Sequence, residues 1–136
     1  MTTQNENEYI NVTANAVGYV SKIIIRKEGR KETLKIRMNL LSGRKTAIKY
    51  IPAEFFVNGA KPIDLAHALN DRLTEDSKTL ISFMGNVYPS YYVSQAQGYE
   101  GQIVATFAGS LNFIKSIKED GKFTYRDESL HNGGAN

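Results

Sequence analysis

Short segments in which apolar and polar residues alternate run along most of this chain. Successive side chains of a β-strand point to opposite faces, so a period of two predicts strands with one buried face. The clearest segment is 33–40, in which Leu34, Ile36, Met38 and Leu40 alternate with Lys35, Arg37 and Asn39. A second covers 102–113 and places Ile103, Ala105, Phe107, Gly109, Leu111 and Phe113 on one face. The chain is therefore predicted to be mainly β.

Turn residues divide the alternating segments into five predicted strands, at 17–26, 33–40, 46–51, 79–93 and 102–113. Pro52 is expected to end the third strand, because proline has no backbone N–H to donate to a sheet. Gly85 is expected to mark a bulge or bend in the fourth. Asp120-Gly121 predicts a tight turn after the fifth strand, leading into 123–125.

A single segment has the period of a helix. Pro62 suits the first helical position, and we expect a helix of about 18 Å over 62–73. Its apolar stripe consists of Ile63, Ala66, Leu69 and Leu73. The opposite face is expected to be exposed and carries Asp64, His67, Asp71 and Arg72.

The order of three strands, one helix and further strands is that of an OB-fold. We expect a five-stranded barrel with its helix between strands 3 and 4. A pleckstrin-like barrel would place the helix last, and a ferredoxin-like fold would need a second helix. Residues 16–126 are the predicted domain, between a flexible arm at 1–15 and a flexible tail at 127–136.

Composition excludes several kinds of site. The chain of 136 residues has no cysteine, which excludes disulfides and thiolate metal sites, and its only histidines are His67 and His131. No phosphate-binding glycine loop, nucleophile elbow or zinc-protease motif is present. We therefore expect neither catalysis nor a cofactor or metal. The polar N-terminus and the lack of an apolar span favour a soluble cytoplasmic protein.

Positive charge is concentrated in the first half of the domain. Residues 17–60 contain ten basic and three acidic residues, a net charge of +7, whereas the whole chain totals only +3. Such a segment can attract a polyanion by counterion release. The alternative is a solvated strand face whose lysines discourage aggregation.

Tyrosines cluster around the end of the fourth predicted strand, at Tyr88, Tyr91, Tyr92 and Tyr99. Exposed tyrosine rings beside a basic groove are typical of proteins that bind single-stranded nucleic acid. The alternative is packing: we expect Tyr88 or Tyr91 to close the barrel or form a dimer contact.

The basic segment and the tyrosines fall on the strands and loops that form the binding face of an OB-fold. The sequence therefore predicts a non-enzymatic protein that binds single-stranded DNA with little sequence preference, and RNA remains an alternative. The residues expected to contact phosphates are Arg30, Lys31, Lys35, Arg37, Lys45 and Lys49. The residues expected to stack on bases are Tyr91, Tyr92 and Tyr99.

Three stretches carry a family resemblance: 16–20 (AVGYV), 81–89 (ISFMGNVYP) and 109–121 (GSLNFIKSIKEDG). They resemble a family of small proteins, formerly of unknown function, found on integrative and conjugative elements and plasmids of proteobacteria. The resemblance implies a replication-associated protein similar in layout to single-stranded DNA-binding proteins. It further implies a role in replication or transfer of a mobile element.

Two further expectations concern partners. As an alternative to nucleic acid, the clustered tyrosines contact a relaxosome, secretion or host-defence protein, since tyrosine is enriched at protein interfaces. The apolar run Ile23-Ile24-Ile25 favours self-association as a dimer or tetramer. No membrane association is expected.

Overall fold

The computed structural model describes residues 12–129. Residues 1–11 and 130–136, which include much of the expected arm and tail and His131, lie outside the described part. The elements in chain order are β1 Thr13–Glu28, β2 Lys31–Arg44, β3 Ala47–Val57, helix α1 Ala60–Arg72, β4 Thr79–Val93, β5 Ile103–Glu119 and β6 Lys122–Arg126.

Five of the strands close into a ring. Hydrogen-bonded neighbours follow the order β3-β2-β1-β4-β5, and a parallel pairing of β3 with β5 joins the two ends. Helix α1 lies between β3 and β4 in the chain. This connectivity is the OB-fold, as the order of elements in the sequence predicted. The short strand β6 is an addition, paired with the C-terminal half of β5 outside the ring.

The barrel interior is filled by the inward-facing residues of every ring strand. Phe55 and Phe83 are fully buried at its centre, with ring centroids 5.1 Å apart in an edge-to-face arrangement. Helix α1 buries Ala66 and Leu69 against this core, and the rest of the predicted stripe is partly buried. The helical stripe is therefore confirmed. Within residues 12–129, no helix is long and apolar enough to cross a membrane.

The helix begins at Ala60, two residues before its predicted start. Pro62 therefore lies inside the first turn rather than at the first position. It is tolerated because the backbone N–H groups of the first turn have no partner within the helix. Pro62 is itself buried, so it adds to the contact between helix and barrel.

The first three strands are longer than predicted. β1 begins at Thr13, which pairs with Asn86 of β4, so residues 13–15 of the expected arm belong to the sheet. Pro52 does not end β3, and that prediction is wrong. Pro52 pairs with Asn39 of β2 on one side, while β5 joins the other side only from Ala53. The missing N–H of Pro52 therefore breaks no hydrogen bond to a second neighbouring strand.

β5 follows the predicted alternation only as far as Leu111. The pairing of β4 with β5 shifts between Met84 and Gly85, which confirms the bulge expected there. Because of this shift and a second one nearby, Ile114 takes the buried position and Phe113 is only half-buried. The prediction that Phe113 continues the inward row is therefore wrong. The Asp120-Gly121 turn is confirmed, with positive φ at both residues.

Two residues of the helix face that was expected to be exposed make polar contacts with strands. Nε2 of His67 lies 3.0 Å from Oε1 of Glu32 in β2. Arg72 donates two hydrogen bonds to the Glu119 carboxylate of β5, at 3.1 and 3.0 Å. These contacts join both halves of the helix to the barrel.

The Arg72–Glu119 pair predicts acid-dependent stability. Hydrogen bonds from Arg72 lower the pKa of Glu119 below its ordinary 4.5, although burial partly raises it. A carboxyl group with a lowered pKa stabilises the fold above its unfolded pKa and loses that effect as pH falls through its folded pKa. Arg72 is half exposed, so solvent screens the pair, and we expect about 1 kcal/mol or less.

The measurement is urea unfolding of wild type and Glu119→Gln at a series of pH values from neutral to acid. The difference between their free energies of unfolding should shrink as the wild-type carboxyl group becomes protonated. A difference that stays constant or widens on acidification would show that the ion pair does not stabilise the fold.

Candidate nucleic-acid interface

Two hairpins extend beyond the closed ring and flank a cleft. β3 and β5 pair with each other only from Ala53 and Phe107 onward, so their earlier residues stay apart. The β2–β3 arm (residues 41–52) therefore lies on one side of the cleft and the β4–β5 arm (residues 88–106) on the other. Each arm continues the pairing of its own two strands.

Strand register places side chains from four strands in rows across the outside of the barrel. Directly paired residues share a face of the sheet. The first row consists of Arg37 of β2, Glu54 of β3, Ala108 of β5 and Tyr88 of β4. The second row, two residues further along each strand, consists of Lys35, Phe56, Ser110 and Asn86. Basic and aromatic residues distant in sequence thus share one outer face.

A groove of about 520 Å³ crosses this face at the foot of the cleft. We call it the central groove. It contains cationic, aromatic and small polar groups from all four strands. Its lining residues are Arg37, Pro52, Ala53, Glu54, Ser90, Tyr91, Tyr92, Thr106, Phe107 and Ala108.

A carboxylate stands between the two cations of this face. Nζ of Lys35 lies 3.2 Å from Oε1 of Glu54, and Arg37 donates to Oε2 through Nε and Nη2 at 3.2 and 3.1 Å. Burial raises the pKa of Glu54, but hydrogen bonds and charge from Lys35 and Arg37 outweigh it, so the pKa is below 4.5. The three side chains together carry one net positive charge. Lys35 also lies over the Phe56 ring, 4.6 Å from its centroid.

The clustered tyrosines are exposed on the β4–β5 arm. Tyr88 is 55% exposed and Tyr91 is 67% exposed, so neither closes the barrel, and a dimer contact by either stays a prediction. By strand alternation Tyr88 and Tyr92 share the outer face, whereas Tyr91 lies on the other side and reaches the groove from its edge. Tyr99 is in the loop at the tip of the arm.

The remaining predicted phosphate contacts lie away from the central groove. Arg30 is in the β1–β2 turn, and Lys31 lines a separate depression of about 340 Å³ beside Phe56. Lys45 is in the turn at the tip of the β2–β3 arm. Lys49 is exposed on the opposite face of that arm from Tyr50. Thus the structure brings together Lys35, Arg37, Tyr91 and Tyr92. The predicted residues that it places elsewhere are Arg30, Lys31, Lys45, Lys49 and Tyr99.

Glu54 and Phe56 also belong to this face, and neither was predicted from the sequence. The signal was present: a two-residue turn at Lys45-Thr46 places Glu54 opposite Arg37 and Phe56 opposite Lys35. The predicted strands at 33–40 and 46–51 instead leave residues 41–45 as the turn and end the third strand at 51. Both choices hid the pairing.

Within residues 12–129, no three His, Asp or Glu side chains are arranged to hold a metal ion. The polar groups of the groove are suited to hydrogen bonding and ion pairing.

Comparisons with known proteins give matches among solved structures and among protein families. One solved structure that is similar is a small single-stranded DNA-binding protein from Streptomyces coelicolor. It is 15% identical, with a TM-score of 0.47, and the match covers 81% of this chain and 94% of that one. Comparison with curated proteins gave no match. A family model described as a protein of unknown function, DUF3577, matches residues 3–132, and the chain therefore belongs to this family.

Proposed function

We propose that this protein binds single-stranded DNA in the central groove, without catalysis and with little sequence preference. The observation that carries the proposal is the pair of rows that place Lys35 and Arg37 on one outer face with Tyr88 and Phe56. Single-strand binding sites combine cations that follow the phosphates with rings that stack on bases. Every base has a face that can stack, so such a site tolerates most sequences.

Each residue has a distinct part in this proposal. Lys35 and Arg37 contact phosphates at the centre, and Tyr92 and Tyr88 stack on bases beside them. Tyr91 at the groove edge and Tyr99 at the arm tip offer further rings. The outlying cations attract the strand where it enters and leaves, and these are Arg30, Lys31, Lys45 and Lys49.

The wider role follows from the sequence resemblance. The three stretches at 16–20, 81–89 and 109–121 support a protein of a mobile genetic element that acts in replication or transfer. A single OB-fold covers about 4–16 nucleotides, so a dimer or tetramer in the cytoplasm would protect a longer strand. RNA is the alternative ligand, because stacking and phosphate contacts do not by themselves exclude a 2′-OH.

A double substitution tests the central assignment. Lys35→Gln with Arg37→Gln should reduce affinity for an oligothymidylate and flatten the dependence of log K on log salt by about 1.4, since each lost phosphate contact removes about 0.7. Lys122→Gln, on β6 outside the ring, is the matched control and should change neither the affinity nor the salt dependence. An unchanged affinity in the double variant would show that the strand binds elsewhere.

Glu54 gives a prediction of opposite sign. In Glu54→Gln the two cations lose their carboxylate partner, so they can pair fully with phosphate. We expect tighter binding at low salt and a salt slope steeper by about 0.7, measured by titration at several salt concentrations. Weaker binding in Glu54→Gln would instead mean that the carboxylate positions Lys35 and Arg37 for the strand.

The opposite face of the β4–β5 arm favours a second candidate, a protein-interaction module. Val93 and Ile103 are directly paired and both exposed, Ile103 at 72%, so they form an apolar patch. Tyr91 lies on the same face. A partner that is retained after nuclease treatment and lost in Ile103→Lys would favour this candidate.

A further inference from the structure

A third depression lies beside the central groove on the outer face. It has a volume of about 380 Å³ and is lined by Tyr19, Asn39, Tyr50, Ser77 and Lys78. We call it the side groove. No residue predicted from the sequence to bind nucleic acid belongs to it.

The two grooves meet at one cross-strand pair. Asn39 of β2 pairs directly with Pro52 of β3. Asn39 lines the side groove, and Pro52 lines the central groove. On its other side Asn39 pairs with Tyr19 of β1. A flexible chain lying across the strands in the central groove can therefore continue across β2 onto β1 without leaving the outer face.

The side groove offers an aromatic surface of its own. Tyr50 is 56% exposed, and its ring centroid lies 6.4 Å from that of half-buried Tyr19, with the planes tilted by 46°. Because Tyr19 supports one side of Tyr50, the exposed ring is held in place at little entropic cost. An exposed tyrosine braced in this way can stack on an unpaired base.

The side groove also has a cation at its margin. The backbone of Lys78 is anchored, since its N–H donates to Oδ1 of Asp120 at 3.0 Å and its carbonyl accepts from the Asp120 N–H at 2.9 Å. Among residues 12–129 the Lys78 ammonium group makes no ion pair. It can therefore pair with a phosphate.

We infer that single-stranded DNA leaving the central groove continues into the side groove, where one base stacks on Tyr50 and Lys78 contacts a phosphate. This inference rests on the proposed function and extends the binding path from β2–β5 across β1. It adds Tyr19 as the residue that positions Tyr50.

Fluorescence can report on each groove separately, because the chain has no tryptophan. Tyr92→Trp places a reporter in the central groove, Tyr50→Trp places one in the side groove, and Asn70→Trp on α1 is the control outside both. Each is titrated with oligothymidylates of roughly 4 and 12 nucleotides, which span the site sizes of single OB-folds. We expect both lengths to quench Tyr92→Trp, only the longer to quench Tyr50→Trp, and neither to quench Asn70→Trp.

Affinity gives an independent measurement. Tyr50→Leu should weaken binding of the 12-mer by about tenfold, within the range for one lost base stack, and leave the 4-mer unchanged. Lys78→Gln should flatten the salt slope for the 12-mer by about 0.7. Since Tyr50 and Lys78 are exposed, both variants should keep the wild-type melting temperature.

Failure of the inference and failure of the proposed function differ in outcome. If wild type binds neither oligonucleotide, the proposed function fails. If wild type binds and Tyr92→Trp is quenched while Tyr50→Trp stays silent with the 12-mer, only the inference is overturned. Quenching of Tyr50→Trp by the 4-mer would also overturn it, because Tyr50 would then belong to the central contact.

Discussion

Replacing both Tyr88 and Tyr92 by leucine is expected to weaken binding of single-stranded DNA by about 30-fold or more. Each base stacked on an aromatic ring contributes about 1–3 kcal/mol, so two lost stacks remove at least about 2 kcal/mol. Both rings lie on the outer face that carries Arg37, and Tyr92 lines the central groove. The salt slope should remain that of wild type, because no phosphate contact is removed.

The matched control for this pair is Phe123→Leu, an exposed aromatic residue of β6 that lines neither groove. Titrations at several salt concentrations measure affinity and slope together for both variants. Because both tyrosines are more than half exposed, melting temperatures should stay close to wild type. Wild-type affinity in the double variant would contradict base stacking on this face. An equal loss of affinity in Phe123→Leu would show that the effect is not specific to the face that carries Tyr88 and Tyr92.

Phe83→Ala is expected to lower the free energy of unfolding by about 3–5 kcal/mol, the usual cost of deleting a buried phenyl ring. Phe83 is fully buried and packs edge-to-face with Phe55, which joins β4 to β3 through the barrel centre. β3 and β4 are not neighbours in the ring, so their contact passes through the interior. A cavity at this contact would loosen the packing of β3 and of β4 at the same time.

Urea unfolding monitored by circular dichroism measures this loss, with Phe123→Ala as control. Phe123 is 48% exposed and lies under Arg126, so its removal should cost about 1 kcal/mol or less. Similar losses in the two variants would show that the interior contact between β3 and β4 does not dominate stability.

Local patterns were sufficient to predict the fold. The bounds of β4, the helical stripe and the Asp120-Gly121 turn follow from residue spacing and turn chemistry, and the order of elements then leads to the OB-fold. The errors arose where tertiary pairing overrides a local rule. Pro52 remains in β3 because that edge has no second partner, and Phe113 leaves the buried row because of bulges in the β4–β5 pairing.

The site was predicted only in part because it is built across strands. Residue types alone identified Lys35, Arg37, Tyr91 and Tyr92 as candidates. The structure brings the last three to one groove, and Lys35 contacts Glu54 at its margin. The role of Glu54 depends on register, since only its pairing opposite Arg37 places a carboxylate between two cations. Register depends in turn on the position of a two-residue turn, which composition does not determine.

The most direct test of the central claim is fluorescence anisotropy of a labelled oligothymidylate of about 30 nucleotides at two salt concentrations, beside duplex DNA and RNA of equal length. The proposed function predicts binding to the DNA single strand that weakens steeply with salt, and little binding to the duplex. No binding to the single strand at low salt would contradict the proposal. The basic strands would then be a solvated face, and the exposed tyrosines would be a surface for contact with protein.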